Sequence, residues 1–530
     1  MSRQLLWVLC GWMLWVASVQ GEDMYRLGER LVTERCAGCH HPSGNNAAGS
    51  QFSRISEQRK SPEGWFMTVV RMQREGRVQL TQDERRSVVK YLSDNYGLTP
   101  TEALPFRHAL EKRPNRADVA EDPLLATMCA RCHTQARFQL QRRSEEEWRR
   151  LVHFHVGQFP TLEYAAGSRD RDWWGIATGP LVTQLTQQLG LQMDSWKHWQ
   201  QQPSPNLSGR WRIVGRQPGR GVYYGYAEIS KTGTDQYRTS YSLTDAAGVE
   251  HSSTSSAVIY SGYEWRGERQ LSDKTVREVF AVSDQGNRLQ GRWFFQDHDE
   301  TGGDWTAVRV GTRAQVLAIY PNYLKAGSRQ EMTLIGTGLK GPVSLGKGIS
   351  VTVKQRSEDK IVIDVVADRN VEAGRREIQV GDIASTQLSV YRKLDSIQVR
   401  PAHAIARIGD GGGKIAPVPV QFEAVGFLNG ADGLAGTEDD ITVGRFPAHW
   451  SSSDFDDIAK MLQDSTHAGQ INQNGLFQPA AAGINPDRYI PTNNIGVLNI
   501  QAELDQGDNT LSANARLVVT VQRFIDPPIR

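Results

Sequence analysis

The sequence predicts a multidomain chain, α-helical over residues 22–199 and antiparallel β over residues 200–530. Three observations carry this. Helix caps and 3.6-residue apolar spacing recur up to Trp199, where Pro203, Pro205 and Gly209 mark a break. Beyond it come short runs rich in Val, Ile, Tyr, Thr and Trp, separated by Gly, Asp and Asn, the texture of strands and turns. At 530 residues the chain is too long for one core, and about three to five domains are expected. Lys+Arg total 61 against 59 Asp+Glu, with no basic tract, so nucleic acid is not an expected partner.

The start of the chain reads as an address. Arg3 precedes the apolar run Leu5–Val16, and small residues follow at Ala17, Ser18 and Gly21. This is the charged, apolar and small-residue order of a secretory signal over residues 1–21. The run is shorter than the roughly 20 apolar residues of a membrane span, so no span is expected after cleavage. Of five cysteines, Cys10 falls in this signal. The other four make up Cys36-Ala37-Gly38-Cys39-His40 and Cys129-Ala130-Arg131-Cys132-His133, leaving none for a structural disulfide.

A Cys-x-x-Cys pair in an exported chain can be a dithiol, a disulfide or part of a metal site. The histidine after the second cysteine separates these readings. Two thiols at this spacing reach both vinyl groups of a haem, and the next residue puts an imidazole on the iron. A four-cysteine zinc site would leave both histidines idle. Both segments therefore predict covalent haem c, attached at Cys36, Cys39, Cys129 and Cys132, with His40 and His133 as proximal iron ligands. Flanking helices fit a small cytochrome c plan. Tyr25, Leu27, Gly28, Leu31 and Val32 recur at helical spacing, with Gly28 as a close-packing point. Thr81-Gln82-Asp83-Glu84 is a capping box, and Val88, Val89 and Leu92 form the stripe behind it.

The second axial ligands come from an internal repeat. Ser61-Pro62-Glu63-Gly64-Trp65 opens one helix, and Ser144-Glu145-Glu146-Glu147-Trp148, a Ser-x-x-Glu box, opens another. Aligned on their tryptophans, Met72 and His155 each follow by seven residues, nearly two turns, so each shares its tryptophan's face within about 20°. Val69 and Val152 lie on that face too. Met67 and His153 point well away. The expected sets are His40/Met72 and His133/His155, with His108 in reserve for either iron. A thioether raises an iron potential relative to imidazole, so electrons are expected to enter at the bis-His centre and leave from the His/Met centre.

Residues 99–122 carry Pro100, Pro105 and Pro114 and read as a connector between unit 1 (22–98) and unit 2 (123–199). A helix is expected from Gly179-Pro180-Leu181 through Leu185 and Leu189 to Gly190. In the first β block, 200–310, Leu207-Ser208-Gly209-Arg210-Trp211 is echoed by Leu289-Gln290-Gly291-Arg292-Trp293, which predicts a barrel or sandwich whose outer strands open alike. Residues 311–394 read as an immunoglobulin-like sandwich without its cysteine pair, and 395–530 as a C-terminal immunoglobulin-like β domain. The predicted class is thus an α-helical di-haem cytochrome c domain followed by three antiparallel β barrel or sandwich domains. Residues 429–440 pack carboxylates and glycines as calcium loops do, without EF-hand spacing; an acidic turn is the expected reading and calcium the alternative. No β block holds a nucleophile motif, a phosphate loop or a metalloprotease helix, so a structural role is expected, seating the haem unit on partners.

The run His153-Phe154-His155-Val156-Gly157-Gln158-Phe159-Pro160-Thr161-Leu162-Glu163-Tyr164, then Arg169-Asp170-Arg171-Asp172-Trp173-Trp174, in two cytochrome units ahead of three β domains, resembles the haem-carrying alpha subunit of quinohemoprotein amine dehydrogenase. The resemblance runs over nearly the whole exported chain. It implies a periplasmic heterotrimer of a Gram-negative bacterium, completed by a β-propeller subunit and a small subunit bearing cysteine tryptophylquinone. That small subunit oxidises a primary amine to an aldehyde and ammonia, and electrons pass through the haems to a cupredoxin or soluble cytochrome c. This chain has no spare cysteine from which to build the quinone, so it is expected to hold redox ligands and no catalytic acid or base. The rival readings are a cytochrome carrier or subunit for another periplasmic dehydrogenase, and a di-haem peroxidase.

Overall fold

A computed structural model describes residues 23–46, 49–112, 120–131, 133–158, 162, 170–296, 301–413 and 415–521. The expected signal, residues 1–21, lies outside them, as does Cys132. No helix among the described residues is long and apolar enough to cross a membrane.

The first helical unit is built on the helices Met24–Arg35, Pro62–Arg74 and Gln82–Asn95. Gly28 lets the first and third cross closely: a Cβ there would lie 2.0 Å from the Ser87 carbonyl oxygen and 2.8 Å from Tyr91 Cβ. The third helix opens on the expected capping box, Thr81 and Glu84 satisfying reciprocal backbone N–H groups. The second unit uses Glu145–Gln158 and Val182–Leu189, the latter entered through a wide helical turn that accommodates Pro180. Ser144 Oγ accepts from Glu147 N at 3.2 Å, but the Glu147 carboxylate is drawn off to arginines, so only half of the expected box forms. The connector is more ordered than its prolines suggested. Thr99 and Glu102 cap a one-turn helix, Pro100–Ala103, with proline in the first turn where its missing N–H costs nothing.

The two units meet about an approximate two-fold axis. Strands Gln58–Lys60 and Gln141–Arg143 pair antiparallel, with Arg59 opposite Arg142. Each strand runs straight into its serine cap and tryptophan-bearing helix. Ser61 N donates to Leu140 O, and the related Ser144 N donates to Glu57 O. Arg59 is fully buried at this centre, forking onto Glu102 and donating to the carbonyls of Gly97, Leu191 and Gln192. Arg142 reaches the same Glu102 at 3.1 Å. A buried guanidinium is tolerable because every donor direction finds an oxygen.

Residues 209–309 form a closed eight-stranded barrel in which each strand pairs antiparallel with the next. The last strand, Gly302–Arg309, closes onto the first, Gly209–Gln217. Closure removes the outer strands that the Leu-x-Gly-Arg-Trp echo had suggested; the echoed strands instead flank the last one, burying Trp211 and Trp293. Inside lies a polar group. Glu278 accepts from Tyr241 Oη, Ser255 Oγ and Trp265 Nε1 and pairs with Arg269 at 3.4 Å. Beyond the barrel, two four-stranded sheets of residues 315–391 enclose one apolar core. Sheets of residues 396–520 enclose another. In the 429–440 loop, Asp432, Asp439 and Asp440 accept hydrogen bonds from Leu434 N, Asp432 N and Gly436 N.

The barrel and the first helical unit share a single hydrophobic core that also takes in Ala136 and Leu140, whereas most of the second unit packs on a core of its own. At the shared seam, Tyr263 Oη lies 3.0 Å from the carbonyl oxygens of Leu98 and Thr99, and Arg266 pairs with both Glu63 and Glu264. Glu111, buried beside Glu63 and paired with Arg277, is pushed up to about 7, chiefly by burial and against the pull of Arg277. Between the ordinary value of 4.5 and about 7 the folded chain therefore holds a proton that the unfolded chain releases, so stability falls as pH rises across that window. Glu111→Gln is expected to flatten this slope. Urea midpoints at about pH 5 and about pH 8 check it, and equal midpoints in the unmodified chain would contradict it.

Candidate functional site

The Met24–Arg35 helix ends at Cys36, whose backbone N–H donates to Val32 O. The chain then turns tightly: Cys39 N and His40 N both donate to Cys36 O, at 3.1 and 2.9 Å. This turn sets Cys36 half-buried, Cys39 exposed and the His40 ring immediately behind them. In the second unit, Asp122 caps a short helix that widens at Ala126–Ala130 and carries Cys129, also half-buried. Burial pushes the Cys36 thiol up to about 11 and Cys129 to about 12. No disulfide links the described cysteines.

Each candidate histidine is anchored through one ring nitrogen. His40 Nδ1 donates to Ser53 O at 3.0 Å, His133 Nδ1 to Thr134 O at 2.9 Å, and His155 Nδ1 to Leu151 O at 2.7 Å. A backbone carbonyl on Nδ1 fixes the tautomer and turns Nε2 into the lone-pair donor, the arrangement that orients imidazoles on metals. For His155, burial and then the charges of Arg137, Arg71 and Arg143 hold the ring below its usual range, in the neutral form that can bind iron.

The tryptophan alignment has a structural counterpart. Trp65 Nε1 donates to Tyr96 O at the end of the first unit's last helix, and Trp148 Nε1 donates to Leu189 O at the end of the second's. Both rings are fully buried, and Val69 and Val152 lie buried one turn on. Met72 and His155 then occupy the same half-buried position of their helices. The competitors are engaged elsewhere. Met67 packs on the core with its sulfur 3.9 Å from Arg137 Nη2, and exposed His153 stands edge-on to Trp174 at 4.9 Å. Reserve His108 lies toward the barrel, pushed down to about 3 by burial and then by Arg292, Arg107 and Arg266.

The two helices also touch at equivalent positions. Arg71, before Met72, lies 4.8 Å over the ring of Phe154, before His155. Sequence reasoning named the candidate ligands; it did not find the carbonyls of Ser53, Thr134 and Leu151, nor the stacking of Arg71 on Phe154. No side-chain pattern marks a carbonyl acceptor. These residues fit two c-type haems: thiols at vinyl spacing, carbonyl-anchored imidazoles and a thioether on a matching helical face.

Four family models match the chain. Residues 26–196 match the model described as quinohemoprotein amine dehydrogenase A, alpha subunit, haem binding. Residues 204–310, 313–392 and 397–529 match domains II, III and IV of the same alpha subunit. No curated protein matches. Among solved structures, the redesigned barrel mFAP1 bound to DFHBI is 12% identical over 19% of this chain and 94% of its own, with a TM-score of 0.18. Mouse clustered protocadherin PcdhgC3 EC1-3 is 12% identical, covering 47% and 86%, with a TM-score of 0.16. At these scores neither bears on function.

Proposed function

We propose, for a chain that belongs to the quinohemoprotein amine dehydrogenase alpha-subunit family, that it is the di-haem electron-transfer subunit of a periplasmic complex. When bound, haem c supplies one-electron oxidation and reduction. Cys36 and Cys39 hold one group and Cys129 and Cys132 the other, in covalent thioether linkage. His40 and Met72 complete the first site; His133 and His155 complete the second. The Met72 thioether favours the reduced state more than the His155 imidazole does, so Cys129 to His155 is the entry side and Cys36 to Met72 the exit.

The remaining parts of the reading rest on family membership. A small partner subunit carries cysteine tryptophylquinone and deaminates a primary amine, and a β-propeller subunit completes the heterotrimer. A cupredoxin or soluble cytochrome c takes the electrons. Residues 1–21 direct export, and the two later β blocks, taken as immunoglobulin-like, seat the haem-bearing part on the other subunits.

The observation that supports the reading is the repeat about Arg59 and Arg142, in which Met72 and His155 follow their buried tryptophans at one helical position. Purification from the native periplasm tests it, with haem stoichiometry, mass spectrometry of associated subunits and amine-dependent dye reduction. Near-infrared and EPR spectra are expected to show one His/Met and one bis-His haem. Met72→Ala should abolish the thioether-to-iron band and leave the bis-His signal unchanged. Two His/Met haems, or a band that survives Met72→Ala, would overturn the ligand assignment.

A further inference from the structure

The helices that carry Met72 and His155 are tied to the opposite unit at both ends. Their first turns are tied by backbone: Ser61 N donates to Leu140 O at 3.3 Å, and Ser144 N to Glu57 O at 3.1 Å. Toward their last turns the ties are side chains. Arg71 lies 4.8 Å over the Phe154 ring, and one turn earlier the Met67 sulfur stands 3.9 Å from Arg137 Nη2 of the second unit. Arg71 and Phe154 are equivalent residues, each directly before its candidate ligand, and both are half-buried.

Helical pitch separates this contact from the ligand face. Trp65, Val69 and Met72 share one face of their helix, whereas Arg71 stands about 120° round from Trp65. Met67, one turn before Arg71, shares the side of Arg71. The same count places Phe154 about 120° round from Trp148, clear of the face that His155 shares. Each helix thus turns one face to its own unit and another to its neighbour. Met72 and His155 both lie in the closing turns of their helices, Pro62–Arg74 and Glu145–Gln158. Carbonyls of a last turn lack intrahelical partners, so such a turn keeps its place through packing. A planar guanidinium laid on an aromatic face is a directional contact, and here it joins the two closing turns.

We propose that Arg71 and Phe154 are a positioning pair: their stack holds the closing turns of the two ligand-bearing helices against each other, so the seating of Met72 depends on the second unit and that of His155 on the first. The proposal rests on the di-haem reading above. Neither residue is a ligand; each acts through the helical turn it shares with one. Its consequence is a cross effect: removing one partner of the stack disturbs the centre of the other unit as well as its own.

The test uses the intact purified complex and reads each centre separately: the thioether-to-iron absorption band for Met72, and the low-spin EPR signal for the bis-His site. Phe154→Leu, a change in the second unit, is expected to shift or weaken the Met72 band. Arg71→Gln, a change in the first, is expected to shift the bis-His g values. Phe154→Tyr keeps the aromatic face and should leave the Met72 band in place. Arg71→Lys keeps the charge without the plane and should restore the bis-His signal only in part. Because both single variants break one contact, the double variant should show cross effects no greater than theirs. If Phe154→Leu fails to load two haems, Phe154→Met and Arg71→Gln decide by the same readouts. Variants that each change only the centre of their own unit would overturn the proposal. An unmodified complex without one His/Met and one bis-His haem would instead overturn the reading beneath it, and the proposal with it.

Discussion

Substituting Cys129→Ala together with His133→Ala is expected to leave a single covalent haem per chain and to take amine-driven reduction of the external acceptor to background. Removing both attachment and proximal ligation deletes the second centre outright, and the remaining His40/Met72 centre is then cut off on the entry side. The complementary variant, Cys36→Ala with His40→Ala, should also leave one haem, now with a bis-His spectrum, and should equally stop acceptor reduction. The two variants thus lose the same activity and keep opposite spectra. His155→Ala guards against simple misfolding: both haems stay attached while the second loses its low-spin bis-imidazole signal. Haem staining, optical spectra and dye reduction read all three. Undiminished amine-driven reduction in the Cys129/His133 variant would rule out a serial path through both centres.

Glu278→Ala is expected to cost about 3–5 kcal/mol, the usual range for stripping one partner from a buried ion pair. Both Glu278 and Arg269 are almost fully buried, so the substitution strands a guanidinium inside the barrel. It also removes the acceptor of Tyr241, Ser255 and Trp265. Burial holds Glu278 above the ordinary carboxylate range, so Glu278→Gln, which keeps an acceptor oxygen without charge, should cost clearly less. Because the barrel shares its core with the first helical unit, the His40/Met72 absorption should be lost in the same urea transition as barrel tryptophan fluorescence. The second unit, whose core is largely separate, should report its own transition. An unshifted midpoint in Glu278→Ala would refute the central role of this carboxylate.

How much was legible in the sequence depended on the range of the interaction. Capping at Thr81 and Ser61, the close crossing at Gly28 and the shared register of Trp65 and Trp148 are set within a few residues by helix geometry, and each has its counterpart in the structure. The Ser144 box formed only in half because distant Arg54 competes for Glu147. The proline-rich connector hid a one-turn helix, since Pro100 falls where helices tolerate proline. The choice between barrel and sandwich stayed open in the sequence, because an echo of five residues tells which strands are alike, not which are neighbours.

By itself the sequence determined the motifs and their order: two Cys-x-x-Cys-His segments, the methionine and histidine that follow at one helical position, and the change from helix to strand after Trp199. These are local facts, fixed by covalent spacing and helical pitch. Only the tertiary structure decided that the two units meet about Arg59 and Arg142 and that the first shares its core with the barrel. The physical reason is that burial and charge balance depend on which distant residues share a dry interior. Arg59 looks like any surface arginine until strand pairing between residues 58–60 and 141–143 sets it, fully buried, opposite Arg142.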